Sequence, residues 1–187
     1  MTLELDIEAL VDRLFSDNKD VLFIDTCILL NVVRCLDIER PHLLDYVSAK
    51  KIISKLDDGT LTYNLVILSP INDEWNRNVV NIYSNAKNII DKSYRTVARI
   101  EEVLNCEEPT KTINIRDFRS DNIEEKLKLV SYTLLEKSYS CRSRDDIKLK
   151  AMDRSIGAIL PARKASQSLN DCILFEEILE IARALRD

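Results

Sequence analysis

Asp25 closes the apolar run Val21-Leu22-Phe23-Ile24 and is followed at once by Thr26-Cys27 and a helical pattern, which puts a carboxylate at the carboxyl end of a buried strand. Open α/β sheets bind their ligands in the crevice beyond that edge. A carboxylate there needs a hydrogen bond, a counter-charge or a metal, because an isolated buried charge is costly. Two further acids stand in matching settings: Glu74, just inside the helix after the next strand, and Asp171, at the start of the last helix. Brought into one crevice, the three would repel strongly unless a cation sat between them. Carboxylate oxygens suit the hard cations Mg2+ and Mn2+. An ion held in this way lowers the pKa of a water and stabilises in-line displacement at phosphorus.

Each acid also has a local explanation. An acid in the first helical turn is favoured by the helix dipole, which covers Glu74 without any chemistry. Asp73 lies about 100° further round that helix, away from its apolar face, so Glu74 is the better candidate. Asp171 stands four, seven, eleven and fourteen residues before Phe175, Ile178, Ala182 and Leu185, and is expected to point inward with that stripe. The alternative is a capping box, since Ser168-Leu169-Asn170-Asp171 fits the S-x-x-D pattern.

Composition removes most other chemistries. Gly59 and Gly157 are the only glycines, so neither a P-loop nor a dinucleotide-binding GxGxxG loop can be built. His42 is the sole histidine, in a helix-start setting after Pro41, which excludes His-rich metal sites. The five cysteines, Cys27, Cys35, Cys106, Cys141 and Cys172, have no CxxC spacing and read as reduced thiols, several of them in the core. With 45% hydrophobic and 32% charged residues, the 187-residue chain reads as one soluble domain. The acidic N-terminus lacks a signal-peptide pattern and no apolar stretch approaches membrane-spanning length, so a cytoplasmic location without a membrane partner is expected.

The elements that must position the acids follow from periodicity. Residues 3–15 read as a helix, 21–24 as a strand, 28–36 and 43–56 as helices, and 61–68 as a second strand, giving a parallel pair with a right-handed crossover. Ser69-Pro70 is a strong helix start, and the pattern then runs to about Leu104 without glycine or proline, as one long helix or two with a kink. Its apolar line passes through Trp75, Val79, Ile82, Ala86, Ile89, Ile90, Val97, Ile100 and Leu104. Residues 106–121 read as a polar connector, 122–139 and 145–160 as helices, 161–168 as a loop, and 169–185 as the last helix.

Three segments together resemble the PIN-domain nucleases, and more narrowly their bacterial PIN-like branch with a long helical insertion. They are Val21-Leu22-Phe23-Ile24-Asp25-Thr26-Cys27 with Ile28-Leu29-Leu30, Ser69-Pro70-Ile71-Asn72-Asp73-Glu74, and Lys164 with Ser168-Leu169-Asn170-Asp171-Cys172-Ile173-Leu174. The resemblance implies an α/β fold, a three-layer α/β/α arrangement around a short parallel sheet, helical for most of its length, as a single domain over 1–187 with the insertion at about 76–160. It implies a metal-dependent endonuclease, an endoribonuclease of the toxin or RNA-processing type first, with Asp25, Glu74 and Asp171 as catalytic metal ligands for Mg2+ or Mn2+. Thr26 would be a supporting hydroxyl, and Lys164 and Asn170 substrate contacts. The chain departs from the family at Asp187, where members continue into another strand carrying a fourth acid. A fragment, or a site completed by a partner chain, a second copy or the missing C-terminal segment, is therefore expected.

Charge patterning offers two nucleic-acid tracks; the preference for RNA comes from the resemblance alone. One is the stripe Glu74, Asn78, Asn81, Asn85, Asn88 and Lys92, with Arg99 beyond it. The other is the span 137–164, whose eight basic residues, Lys137, Arg142, Arg144, Lys148, Lys150, Arg154, Arg163 and Lys164, outweigh three acids in a chain of net charge -5. A solvated helix flank is the ordinary explanation for each. The rival reading of the chain is a PIN-like module that binds nucleic acid or a partner without catalysis, and a third is a helical scaffold whose acids only cap helices.

Overall fold

The computed structural model describes residues 4–37, 39, 42–107, 116–162 and 169–186. Helices take up 73% of the described residues, around one small parallel sheet of four strands. The elements are β1 (Glu4–Leu5), α1 (Ile7–Asp17), β2 (Asp20–Phe23), α2 (Thr26–Val33), α3 (Leu43–Asp57), β3 (Tyr63–Ile67), α4 (Ser69–Glu107), α5 (Ile123–Lys137), β4 (Tyr139–Cys141), α6 (Asp145–Ile156) and α7 (Leu169–Ala184). Short 3-10 turns at Arg34–Leu36 and Arg119–Asp121 complete the described chain. Among the described residues no helix is long and apolar enough to cross a membrane.

The strands lie in the order β1-β4-β3-β2, all parallel. The expected β2–β3 pair forms with Leu22 opposite Leu65 and Phe23 opposite Val66. Parallel direction places every carboxyl end at one edge of the sheet. Asp25 after β2, Ser69 to Glu74 after β3, and Arg142 to Arg144 after β4 therefore open on the same side.

Periodicity missed β1 and β4. Residues 3–15 read as one helix, but Asp6 caps the helix by accepting the Ala9 amide at 2.8 Å, and the two residues before it pair with β4 instead. The periodicity assigns Tyr139 to the preceding helix. The backbone turns extended at Ser138 (φ -90, ψ 150), and residues 139–141 join the sheet. Strands of two and three residues are too short to show a period of two; a sheet neighbour defines them.

Helix α4 runs unbroken for 39 residues, as the absence of an internal glycine or proline allows. Its buried residues Ile71, Trp75, Val79, Ile82, Ala86 and Ile90 recur every three or four positions and then stop. Trp75, 4% exposed, sits where α2, α4 and α5 meet. Its indole N–H donates to Ser131 Oγ at 3.0 Å, and the Ser131 hydroxyl donates to the Leu29 carbonyl at 2.8 Å. One buried relay thus ties α4 to α5 and α5 to α2. The thiols are all free, with Cys141 and Cys172 buried.

Candidate functional site

Asp25 occupies the N-cap of α2 with extended backbone (φ -87, ψ 154), yet its side chain makes no capping hydrogen bond. An N-cap aspartate ordinarily bonds the second or third amide of its helix. Here the carboxylate is left exposed at the sheet edge. The adjacent Thr26 is 1% exposed, and its hydroxyl donates to Glu74 Oε2 at 3.1 Å. This bond joins the tip of β2 to the first turns of α4 and fixes the Glu74 rotamer. Burial pushes the Cys27 thiol above its ordinary value, helped by Asp25 and then Glu74, while Arg34 opposes them. Both carboxylates thus act on one sulfur, and one guanidinium faces the same region.

The third acid is placed differently from its expected inward position. Asp171 is exposed on the first turn of α7; along its line Phe175 (38% exposed) and Ala182 are open, while Ile178 and Leu185 are half-buried against the main core. The buried face of α7 passes instead through Cys172, Glu176, Glu177 and Ile181. Apolarity misled the assignment because two charged residues belong to the inner face, and Phe175 is covered from outside by the Arg154 guanidinium 4.6 Å above its ring. Among the described residues, no three His, Cys, Asp or Glu side chains gather into a group that could hold a metal ion. The structure therefore brings Asp25 and Glu74 together and leaves Asp171 outside their group. Asn170 is half-buried beside it, while Lys164 and Ser168, the expected capping-box serine, lie outside the described residues.

Most of the basic span is committed internally. Arg144 bonds Glu8 on α1, Asp146 on α6 and Glu180 on α7. Lys137 pairs with Asp57 at 2.6 Å, Lys148 with Asp145, Lys150 with Glu180, and Arg154 with Glu176 at 2.6 Å. Arg144, Lys150 and Arg154 hold α6 and α7 to each other and to α1, and the positive charge is met by the distant acids Glu8, Asp57, Glu176 and Glu180 together with the local Asp145 and Asp146. The asparagine stripe is more open: Asn81, Asn85 and Asn88 are exposed, and Asn78 donates to the Glu74 carbonyl at 2.8 Å.

Sequence reading passed over two residues. Arg34 faces a small groove against α4, between Asp37 and Asn85. A cation at the end of α2, nine residues after Asp25, was the available signal. Glu177 is 0% exposed. Its Oε1 accepts from Ser69 Oγ at 3.2 Å, joining α7 to the start of α4, while Oε2 is buried without a hydrogen bond, as is the nearby Ser143 hydroxyl. Burial pushes the Glu177 carboxyl up to about 7, against the opposing pull of Ser143, Ser69 and Lys148.

This burial has a pH signature. Folding raises the pKa from 4.5 to about 7, so the native state binds the proton more tightly than the unfolded chain. The associated stability is complete below pH 4.5 and is lost as pH rises through about 7. Glu177→Gln, a neutral isostere of the protonated acid, should remove this decline. The expected gap between variant and wild type grows by on the order of 3 kcal/mol between about pH 4 and about pH 8.5. Urea unfolding at both pH values measures it, and pH profiles that run parallel would disprove it.

A scan against protein-family models, a search of curated proteins and a search of solved structures each return no match to this chain.

Proposed function

We propose that the chain is a metal-dependent nuclease of the PIN-like kind, hydrolysing phosphodiester bonds in RNA first. The observation that carries this reading is the junction at the sheet edge: a non-capping Asp25 carboxylate, and Glu74 held beside it by the buried Thr26 hydroxyl. Helix capping explains neither an Asp25 side chain that bonds no amide of its helix nor a buried threonine that orients an acid from another element.

The donor set fits a hard cation. Asp25 and Glu74 offer only oxygens, and Mg2+ is commonly held by one or two carboxylates, with waters and substrate phosphate filling the remaining positions. When bound, the ion supplies Lewis-acid charge at the scissile phosphate. Asp25 and Glu74 would hold it, Thr26 would keep Glu74 in register, and Arg34 would pair with a phosphate along the strand. The resemblance would add Asp171 as a third acid and Asn170 and Lys164 as substrate contacts, and the reading does not depend on them.

The test is cleavage of labelled RNA and single-stranded DNA with Mg2+, Mn2+ and EDTA. Metal-dependent cleavage of RNA supports the reading, and cleavage indifferent to EDTA contradicts it. The exposure of Asp171 favours a second reading, a PIN-like module that binds nucleic acid or a partner protein without cutting. Under that reading Mn2+ raises the melting temperature through Asp25, and no metal yields cleavage.

A further inference from the structure

A groove of about 120 Å³ lies between the end of α2 and the middle of α4. Val33 and Leu36 form one apolar wall and Ile82, Ala86 and Ile89 the other, with Val33, Ile82 and Ala86 buried. Three polar side chains line the same groove: Arg34, Asp37 and Asn85. Each has bonding capacity to spare. Arg34 is half-buried and among the described residues no carboxylate pairs with it, although a guanidinium taken partly out of water is costly without a counter-charge. Asp37 accepts the Glu39 amide through Oδ1 at 3.1 Å, and its Oδ2 accepts nothing among the described residues. The exposed Asn85 amide makes no hydrogen bond among the described residues. One apolar slot therefore carries an unpaired cation, a free carboxylate oxygen and a free amide on its rim.

We propose that this groove binds a guanylate unit: the guanine ring lies between the apolar walls, Asp37 accepts its N1–H and N2–H groups, Asn85 donates to O6, and Arg34 pairs with the phosphate. The groove is well below the roughly 300–1,000 Å³ of an ordinary ligand pocket, which suits one flat ring system with its sugar and phosphate outside. A carboxylate only accepts, whereas an amide can donate. Guanine is the base that sets two donors beside a carbonyl, and so answers both. Adenine would turn the N1 acceptor toward Asp37, uracil would turn carbonyls toward it, and cytosine offers it a single donor group. A guanidinium fork matches phosphate geometry. The proposal rests on the nuclease reading for the course of the strand. Asn85 lies eleven residues along α4 from Glu74, about 16 Å of helix, and Arg34 acts on the Cys27 thiol beside Asp25. The phosphate on Arg34 thus leads toward the sheet edge, and the base sits further along the α2–α4 groove. Base recognition itself needs no metal.

Calorimetric titration of the full chain in EDTA, with guanylate, adenylate, cytidylate and uridylate in turn, tests the proposal. Wild type should bind guanylate at least about tenfold more tightly than the other three. Asp37→Asn should lose that preference. The variant should also bind xanthylate, whose carbonyl replaces the N2 amine, about tenfold more tightly than wild type does, because the new amide can donate to it. A gain of binding requires a folded variant, so misfolding cannot imitate this result. Arg34→Ala should weaken guanylate while leaving guanosine, which has no phosphate, unchanged. Titration in EDTA also separates the two readings. Guanylate preference in a chain that cuts no RNA refutes the nuclease reading alone. Equal binding of the four nucleotides, binding of none, or an Asp37→Asn variant that keeps the guanine preference overturns this proposal, whatever the chain cleaves.

Discussion

Asp25→Asn should reduce metal-dependent cleavage on the order of a hundredfold or more while leaving the fold essentially as stable as wild type. The loss follows from removing one of two carboxylates proposed to hold the ion. Lewis-acid stabilisation of a phosphoryl transition state is worth several kcal/mol, and about 1.4 kcal/mol is a tenfold change in rate. The retained stability follows from the structure. Asp25 is exposed and makes no capping bond, its contact with the exposed Cys27 thiol survives in the amide, and surface changes of that kind fall within about 0.5 kcal/mol. Thr26→Val probes the same site indirectly. It removes the hydroxyl that orients Glu74 and should cost about tenfold in metal affinity, as loss of an outer partner of a ligand does. Cleavage rates with titrated Mn2+, read beside melting curves, separate the two effects. An Asp25→Asn protein that cuts as well as wild type would end the nuclease assignment at this site.

Trp75→Ala should destabilise the chain by about 3–5 kcal/mol, a large part of the stability of a domain this size. The indole is 4% exposed and packs where three helices converge, with the Tyr132 ring 5.9 Å away. Deleting it leaves a cavity and also strips Ser131 of the N–H it accepts. Ser131→Ala isolates the polar part, since it orphans the buried indole N–H and removes the second bond to the Leu29 carbonyl, and should cost about 1–3 kcal/mol. Trp75→Phe keeps most of the volume and should fall between them. Because Ser131 bridges two partners, the double variant Trp75→Phe, Ser131→Ala should cost less than the sum of the singles. Denaturant midpoints measure the series, and strict additivity would show that the relay contributes nothing beyond packing.

Where the sequence was legible, the signal was local. Ser69-Pro70 announced α4, the glycine-free run after it announced its length, and Val21 to Ile24 announced the strand that carries Asp25 to the sheet edge. The pairing of Asp25 with Glu74 could be anticipated because two parallel strands must end on one side. The misplacement of Asp171 shows the limit of the same reasoning. A helix wedged between α6 on one side and α1 and α4 on the other has more than one inner face, and hydrophobic periodicity finds the average of them. Glu177 was invisible because a charged residue counts as solvent-facing in any such pattern, although tertiary contacts bury it completely.

Charge followed the same division. The basic excess between residues 137 and 164 can be counted in the sequence, but its use depends on which acids the fold brings near. Arg144 finds Glu8 and Glu180 across 136 and 36 residues of chain. The chain by itself determined the strand tip that bears Asp25, the helix that bears Glu74, and the absence of glycine loops and histidine clusters. All of these depend on residue type and near-neighbour spacing. Only the tertiary structure decided that Thr26 would orient Glu74, that Asp171 would face outward, and that the fully buried face of α4 would end at Ile90 among the described residues. Those outcomes depend on which surfaces meet, and a one-dimensional pattern of apolar and charged residues does not specify the partner of any face.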